Sequence, residues 1–294
     1  MGALVEINTD GLAKLGETIC YGIGLTAFGR KKMANAEAYA TIKEAETNAQ
    51  VELLKLKGED EIANYISARE SRKTNNAKSV VENATTHFIE GEMVSNEPVS
   101  NDWTNRFFSI VEDISDETLH DIWGRILANE VKHPNSYSLR TLDLLRNITK
   151  EEAELFVKAS QFYVENNFIC TETFVLSLNE TLLLGETGLI NSEELTKEWN
   201  VEPNSKLEII IDKNILFILH NNKNEVIRCS TSVKKLSKAG IEILALVEKS
   251  DRNKFYSILA NFFRSKGVSH VFKHEIIDYN DNCRYKILGE ELFD

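Results

Sequence analysis

A chain of 294 residues, 42% apolar and 27% charged, has the material for two or three domains with sizeable cores. Its formal net charge of −12 opposes broad electrostatic attraction to nucleic acid or an anionic bilayer and leaves room only for a local basic patch. Cys20, Cys170, Cys229 and Cys283 form no Cys-x-x-Cys pair, and without a secretory signal the expectation is reduced thiols in a cytoplasm.

Residues 1 to 30 are unusual. Gly11, Gly16, Gly22, Gly24 and Gly29 punctuate Leu12, Leu15, Ile19, Ile23, Leu25 and Phe28, and Arg30, Lys31 and Lys32 follow. Lys14 and Glu17 interrupt the apolar run, leaving it short of the roughly 20 residues a spanning helix needs. Two readings stand. One is a short amphipathic helix docked on its own chain or on a second copy. The other is reversible contact with the inner membrane. Gly16, Ile19, Gly22, Ile23, Gly24 and Phe28 are the candidate contact residues in both.

Residues 31 to about 90 contain no proline and are rich in Ala, Glu and Lys. That composition predicts two long helices, 31–57 and 59–90, broken at Gly58. Val51, Leu54 and Ile62 give only an imperfect heptad. Such a helix is stable chiefly by packing, so a coiled-coil or partner-binding arm is expected. Residues 92–101, with Pro98, read as a polar loop. Trp103, Phe107, Phe108 and Val111 then open another helical face.

Three helix signals follow in a row. Ser115 stands as a cap before Asp116 and Glu117, and Leu119, Ile122, Trp123, Ile126 and Leu127 form one apolar face. Pro134 ends that helix near Lys132. Tyr137, Leu139, Leu142, Leu144 and Leu145 predict a second helix. Thr149 with Glu152 is a capping-box pattern for a third, with Ala153, Phe156 and Val157 behind it. Trp123 reads as core, and His120 and His133 are too far apart to share a helical face.

The run Ile114-Ser115-Asp116-Glu117, then Leu119, Trp123, Leu127-Ala128-Asn129-Glu130, Pro134, Ser138, Leu142 and Leu145 before Ile148-Thr149-Lys150-Glu151-Glu152-Ala153, resembles a bacterial family of uncharacterised proteins. It is also similar to the abortive-infection alpha proteins associated with phage defence. The resemblance covers about the middle fifth of the chain and rests on packing and capping residues. It therefore implies a fold and, by association, a defence role; it transfers no active site.

Beyond Ser160 strand signals dominate: Phe168 to Leu178, Leu207 to Asp212, Ile215 to Leu219 and Glu225 to Cys229, with a turn at Asn221 to Asn224. Residues 182–190 contain Gly-Glu-Thr-Gly and read as a turn before a short helix, Glu193 to Trp199. A helix over Ile241 to Val247 follows Leu236-Ser-Lys-Ala-Gly240. This succession resembles the end of a winged-helix domain. A helix over Lys254 to Phe263 and a hairpin, Val271 to Ile277 with Cys283 to Leu288, close the chain.

No phosphate-binding, dinucleotide-binding, nucleophile-elbow or zinc-protease motif is present, and no cofactor is expected. Glu208 with Asp212 and Lys213 could serve a metal-dependent nuclease. His270, His274 and Cys283 could offer three zinc ligands, with no fourth in evidence. Lys234, Lys235 and Lys238 form a small basic group, the candidate nucleic-acid contact.

The expected architecture is mixed and mainly α. A helical arm over 1–91 precedes an all-α central domain over 102–165, and a small, winged-helix-like α+β region over 166–294 follows. The expected function is that of a non-enzymatic, self-associating bacterial protein, a phage-defence or abortive-infection component. The expected partners are a second copy, an unidentified protein and the membrane through the N-terminal helix, with nucleic acid ranked below them. A winged-helix-like regulator that binds nucleic acid and a hydrolase with an unrecognised site are the alternatives.

Overall fold

The computed structural model describes residues 8–22, 36–89, 91–165, 168–171, 176–247, 252–278 and 284–286. The chain divides into two compact units, Met1–Arg146 and Asn147–Asp294.

The first unit is helical among its described residues. It comprises α1 (Thr9–Gly22), α2 (Ala36–Leu56), α3 (Asp60–Thr85), α4 (Asn101–Val111), α5 (Glu117–Lys132) and α6 (Leu139–Asn147). Gly58, at φ +76°, makes the turn between α2 and α3, which form a hairpin. The all-α central domain expected from the sequence does not stand alone. α5 packs on α3, and α1 packs on both α4 and α5. The α3–α5 crossing is close because residue 124 is glycine: a Cβ there would sit 2.8 Å from the Asn83 Cβ and 2.9 Å from the Ala84 backbone nitrogen. Gly11 plays the same part for α1, where a Cβ would lie 2.4 Å from the Phe88 ring.

α5 turns a slightly different face inward than its aliphatics suggest. Leu119 is 40% exposed, while His120, Trp123, Leu127 and Glu130, spaced three, four and three apart, are buried. Trp123 meets Phe107 edge to face at 5.7 Å. Asp116, rather than Ser115, caps α5, accepting the Thr118 amide at 2.8 Å. Tyr137 belongs to a loop rather than to the next helix. Both Glu130 oxygens accept from that loop, from the Asn135 amide at 2.7 Å and the Tyr137 amide at 2.9 Å, and the Trp103 indole donates to the Tyr137 carbonyl.

The second unit overturns the expectation of a mainly α chain: the molecule is an α+β mixture. It holds α7 (Lys150–Ser160), β1 (Tyr163–Val164), β2 (Phe168–Cys170), α8 (Leu178–Glu186), β3 (Ile190–Val201), β4 (Ser205–Ile210), β5 (Ile215–Asn221), β6 (Ile227–Leu236), α9 (Lys238–Leu244), α10 (Asn253–Ser265), β7 (His270–Asp278) and β8 (Arg284–Lys286). Among the described residues the strands make two four-stranded antiparallel sheets, ordered β1-β2-β6-β3 and β4-β5-β7-β8. Thr149 caps α7 in the predicted box with Glu152, and Ser177 with Glu180 caps α8 the same way.

The largest departure lies at Glu193 to Trp199. Its Glu, Leu and Lys content suits a helix, yet it is the middle of β3, an edge strand laddered to β6 from Glu194 to Val201. Cross-strand pairing overrides local propensity here. The wing also fails to form. β5 pairs with β4 and β7, whereas β6 pairs with β2 and β3, so the turn at Asn221 to Asn224 carries the chain from one sheet to the other. Asn221, fully buried, pins that crossover by donating to the carbonyls of Val201, Glu202 and Glu225. Both sheets and α10 share one core that includes Trp199, Phe217, Phe255 and Phe263.

Candidate interaction surface

α2 carries two apolar faces on opposite sides. At 100° per residue, Ala40, Thr47, Val51 and Leu54 fall within about 80° of arc. These positions are buried or half-buried, as a face packed on α3 must be. Ile42, Ala45, Ala49, Leu53 and Leu56 fall within another arc of about 80°, centred roughly opposite. On this second face Ala45, Ala49, Leu53 and Leu56 are all exposed, Leu53 at 54% and Leu56 at 81%. Ile62 and Tyr65 on α3 are exposed as well. Scattered exposed leucines are ordinary, but a stripe in helical register is the pattern of a helix meeting a second partner. Glu52 and Glu46 border the stripe on its two sides and are exposed, while Glu44 and Lys55, also exposed, fall nearer the face packed on α3.

The N-terminal candidates are placed differently. Gly16 and Ile19 are buried within the first unit, Ile19 at 1% exposure. Gly22 ends α1, while Ile23, Gly24 and Phe28 lie outside the described residues. α1 is tied down by polar bonds too: Lys14 donates to the Ser95 carbonyl at 2.7 Å and Asn8 to the Glu92 carbonyl at 2.9 Å. No described helix is long and apolar enough to cross a membrane.

The three lysines do not share a face. Lys234 and Lys235 are successive residues of β6 and point to opposite sides of the sheet. Lys234 is buried and donates to the Ser192 carbonyl. Lys235 is exposed, and Lys238, also exposed, lies 3.7 Å from Glu242 one turn along α9.

Asp212 sits in a dense polar cluster of the second unit. One oxygen accepts the amides of Asn214 and Ile215 at 2.9 and 3.0 Å; the other accepts the Tyr256 hydroxyl at 2.7 Å and the Arg252 guanidinium. Arg252 also donates to the carbonyls of Gln161 and Tyr163 and stacks 3.9 Å above the Tyr163 ring. Burial, then the Asp212 hydrogen bond, pushes the Tyr256 hydroxyl far above its usual range. Asp212 is therefore saturated as an acceptor, and the cluster ties together chain segments that sequence spacing gives no reason to pair.

Glu165, at φ +51°, does similar work, accepting the Lys197 ammonium at 2.6 Å and the Trp199 indole at 3.0 Å. Burial raises the Cys170 thiol to about 12 and the Cys229 thiol to about 11, so neither is a ready nucleophile. His270 and His274 share a face of β7, and Cys283 lies outside the described residues. Among the described residues no group of three or more His, Cys, Asp or Glu is placed to hold a metal ion. An open depression of about 450 Å³ beside α4 is lined by Asp102, Asn105, Arg106, Ser109 and Leu139. There Ser109 donates to the Arg106 carbonyl and Arg106 faces Asp143 at 3.5 Å.

No curated protein and no solved structure matches the chain. Residues 61–175 match the model of a family described as "Protein of unknown function (DUF2806)", so the α3–α5 crossing, the Glu130 loop and the start of the second unit fall within an uncharacterised domain, while α2 lies before it.

Proposed function

We propose that this chain is a non-enzymatic binding protein that assembles with copies of itself through the α2–α3 hairpin and acts in bacterial phage defence. The wet apolar face of α2 carries the assembly. A helix of 21 residues that packs chiefly on α3 among the described residues, with a second apolar stripe in water, is poorly stabilised by propensity alone. Covering the stripe removes that deficit. The defence role is supported by the similarity of Ile114 to Ala153 to the abortive-infection alpha proteins. The second unit, with its own closed core, is the part free to meet a different protein.

Plating efficiency tests the proposal. Bacteria expressing the full chain and bacteria expressing Leu53→Glu with Leu56→Glu are challenged with a panel of phages. Fewer plaques with the parent, restored by the double variant, are expected. Plaque counts equal to the empty-vector control across the panel would contradict the defence role.

A further inference from the structure

We infer that β3 accepts an added strand: an extended, basic segment of another protein pairs with its open edge and widens the β1-β2-β6-β3 sheet. This goes beyond the assembly proposed above and gives the second unit its own surface for a different protein.

The backbone of β3 is open on one side. β3 is the last strand of its sheet, and among the described strands it is laddered to β6 alone. In an antiparallel ladder the N–H and C=O of one residue point to the same side, and successive residues alternate. The Ser232 carbonyl accepts the Thr171 amide at 3.0 Å, so Ser232 bonds away from β3. Thr196 lies directly across from Ser232. Its N–H and C=O therefore point away from β6, and by alternation so do those of Glu194 and Glu198. Three donors and three acceptors thus face outward along about 14 Å of strand. Glu194, Leu195, Thr196 and Glu198 are all exposed, which leaves that edge in water. A row of this kind pairs with an extended backbone.

Side chains select the occupant. Glu193, Glu194, Glu198 and Glu202 are exposed, and none makes an ion pair with a described residue. The nearest bases are already engaged. Lys197 is held by Glu165 at 2.6 Å, and Lys234, across from Glu194, is buried and donates to the Ser192 carbonyl. Acids along an edge deter like edges: a second β3 centred on Thr196 would set Glu194 against Glu198 twice. The same acids favour a strand with Lys or Arg at two positions four apart, opposite Glu194 and Glu198. Leu195, 39% exposed on the other face of the strand, favours an apolar residue next to one of them.

A peptide selection tests the edge. Random linear decapeptides displayed on yeast are selected against the full chain, and the enriched ones are synthesised with a fluorescent label. They should carry Lys or Arg four positions apart with an apolar neighbour. Amide exchange followed by NMR should show Glu194, Thr196 and Glu198 fast in the free chain and at least about tenfold slower with peptide, with Leu195 and Lys197 slow in both. Thr196→Pro removes one outward N–H and no bond to β6, and should weaken binding by at least about tenfold with the circular dichroism of the parent. Glu194→Lys with Glu198→Lys, at two exposed positions, should weaken it by a similar factor and leave the urea midpoint unchanged. No enriched peptide, outward amides that stay fast with peptide bound, or binding indifferent to the paired lysine substitutions would overturn the inference. Binding lost in Leu53→Glu with Leu56→Glu would place the peptide on α2 and overturn it too. None of these failures touches assembly through α2, which does not involve β3.

Discussion

The two ends of α3 carry the same apolar stripe and meet opposite fates. Ile62, Ile66, Ala77, Val80 and Ala84 lie within about 60° of arc at 100° per residue. Over the C-terminal half that stripe is buried, with Ala77, Val80 and Ala84 at 0% exposure beside α5. About 22 Å earlier along the axis, Ile62 is 51% exposed and Ile66 half-buried. α2 repeats the pattern with one face closed and one open. The difference separates two kinds of residue. Where the chain completes its own packing, a substitution is read out as stability. Where it does not, the proposed self-association predicts that the same substitution is read out as assembly.

The largest effects belong to the closed regions. Asp212→Ala leaves the Arg252 guanidinium, only 10% exposed, without its carboxylate, and should destabilise the second unit by roughly 3–5 kcal/mol in urea unfolding. A loss below about 1 kcal/mol, the scale of an exposed ion pair, would show that water reaches Arg252 freely. Trp123→Ala removes the ring packed on Phe107 and should cost the first unit roughly 3–5 kcal/mol. An unchanged midpoint would dissolve the contrast between the two halves of α3.

Gly124→Ala sharpens the same contrast at lower amplitude. The added methyl presses on Asn83 and on the Ala84 backbone, which cannot rotate away, so about 1–3 kcal/mol should be lost through overpacking. An increase in stability would mean that the two helices part without penalty. Leu53→Ala, by comparison, should leave the folding of the isolated chain within about 0.5 kcal/mol, as surface changes do.

The smallest expected effect is electrostatic. The Lys158 ammonium at 2.8 Å, with the Ser177 amide and hydroxyl, holds the Glu180 carboxyl down at about 2, against an ordinary value of 4.5. A carboxyl depressed in the folded state is protonated first in the unfolded chain as pH falls. Its contribution is therefore complete above about 4.5 and is lost as pH falls toward about 2. Melting curves across that window should show a modest decline that Glu180→Gln flattens. An equal slope in both proteins would show that the α8 cap carries no net charge effect.

Much of the helical layout is legible because its signals are local. Thr149 with Glu152, Gly58 and Pro134 each act over one turn of chain, and each marks an element boundary close to the one observed. Trp123 is recognisable as core for the same reason. What escapes is decided by distant residues. Glu193 to Lys197 has a helical composition, and only the partner strand β6, more than thirty positions away, makes it a strand. Asp212 and Arg252 meet across forty positions with no spacing rule to predict it. The wing misleads because Asn221 to Asn224 is a true turn, yet the strands on its two sides belong to different sheets. The exposed face of α2 was already written in Ala45, Ala49, Leu53 and Leu56. The sequence alone, however, does not show which of two apolar faces α3 occupies.

Hydrogen–deuterium exchange of the full chain at low and high protein concentration tests the central claim most directly, because it reads the open face of α2 and the closed half of α3 in one experiment. Protection of residues 42–56 is expected to rise with concentration, with residues 77–84 strongly protected and unchanged throughout. Protection of residues 42–56 that is the same at every concentration would contradict the account.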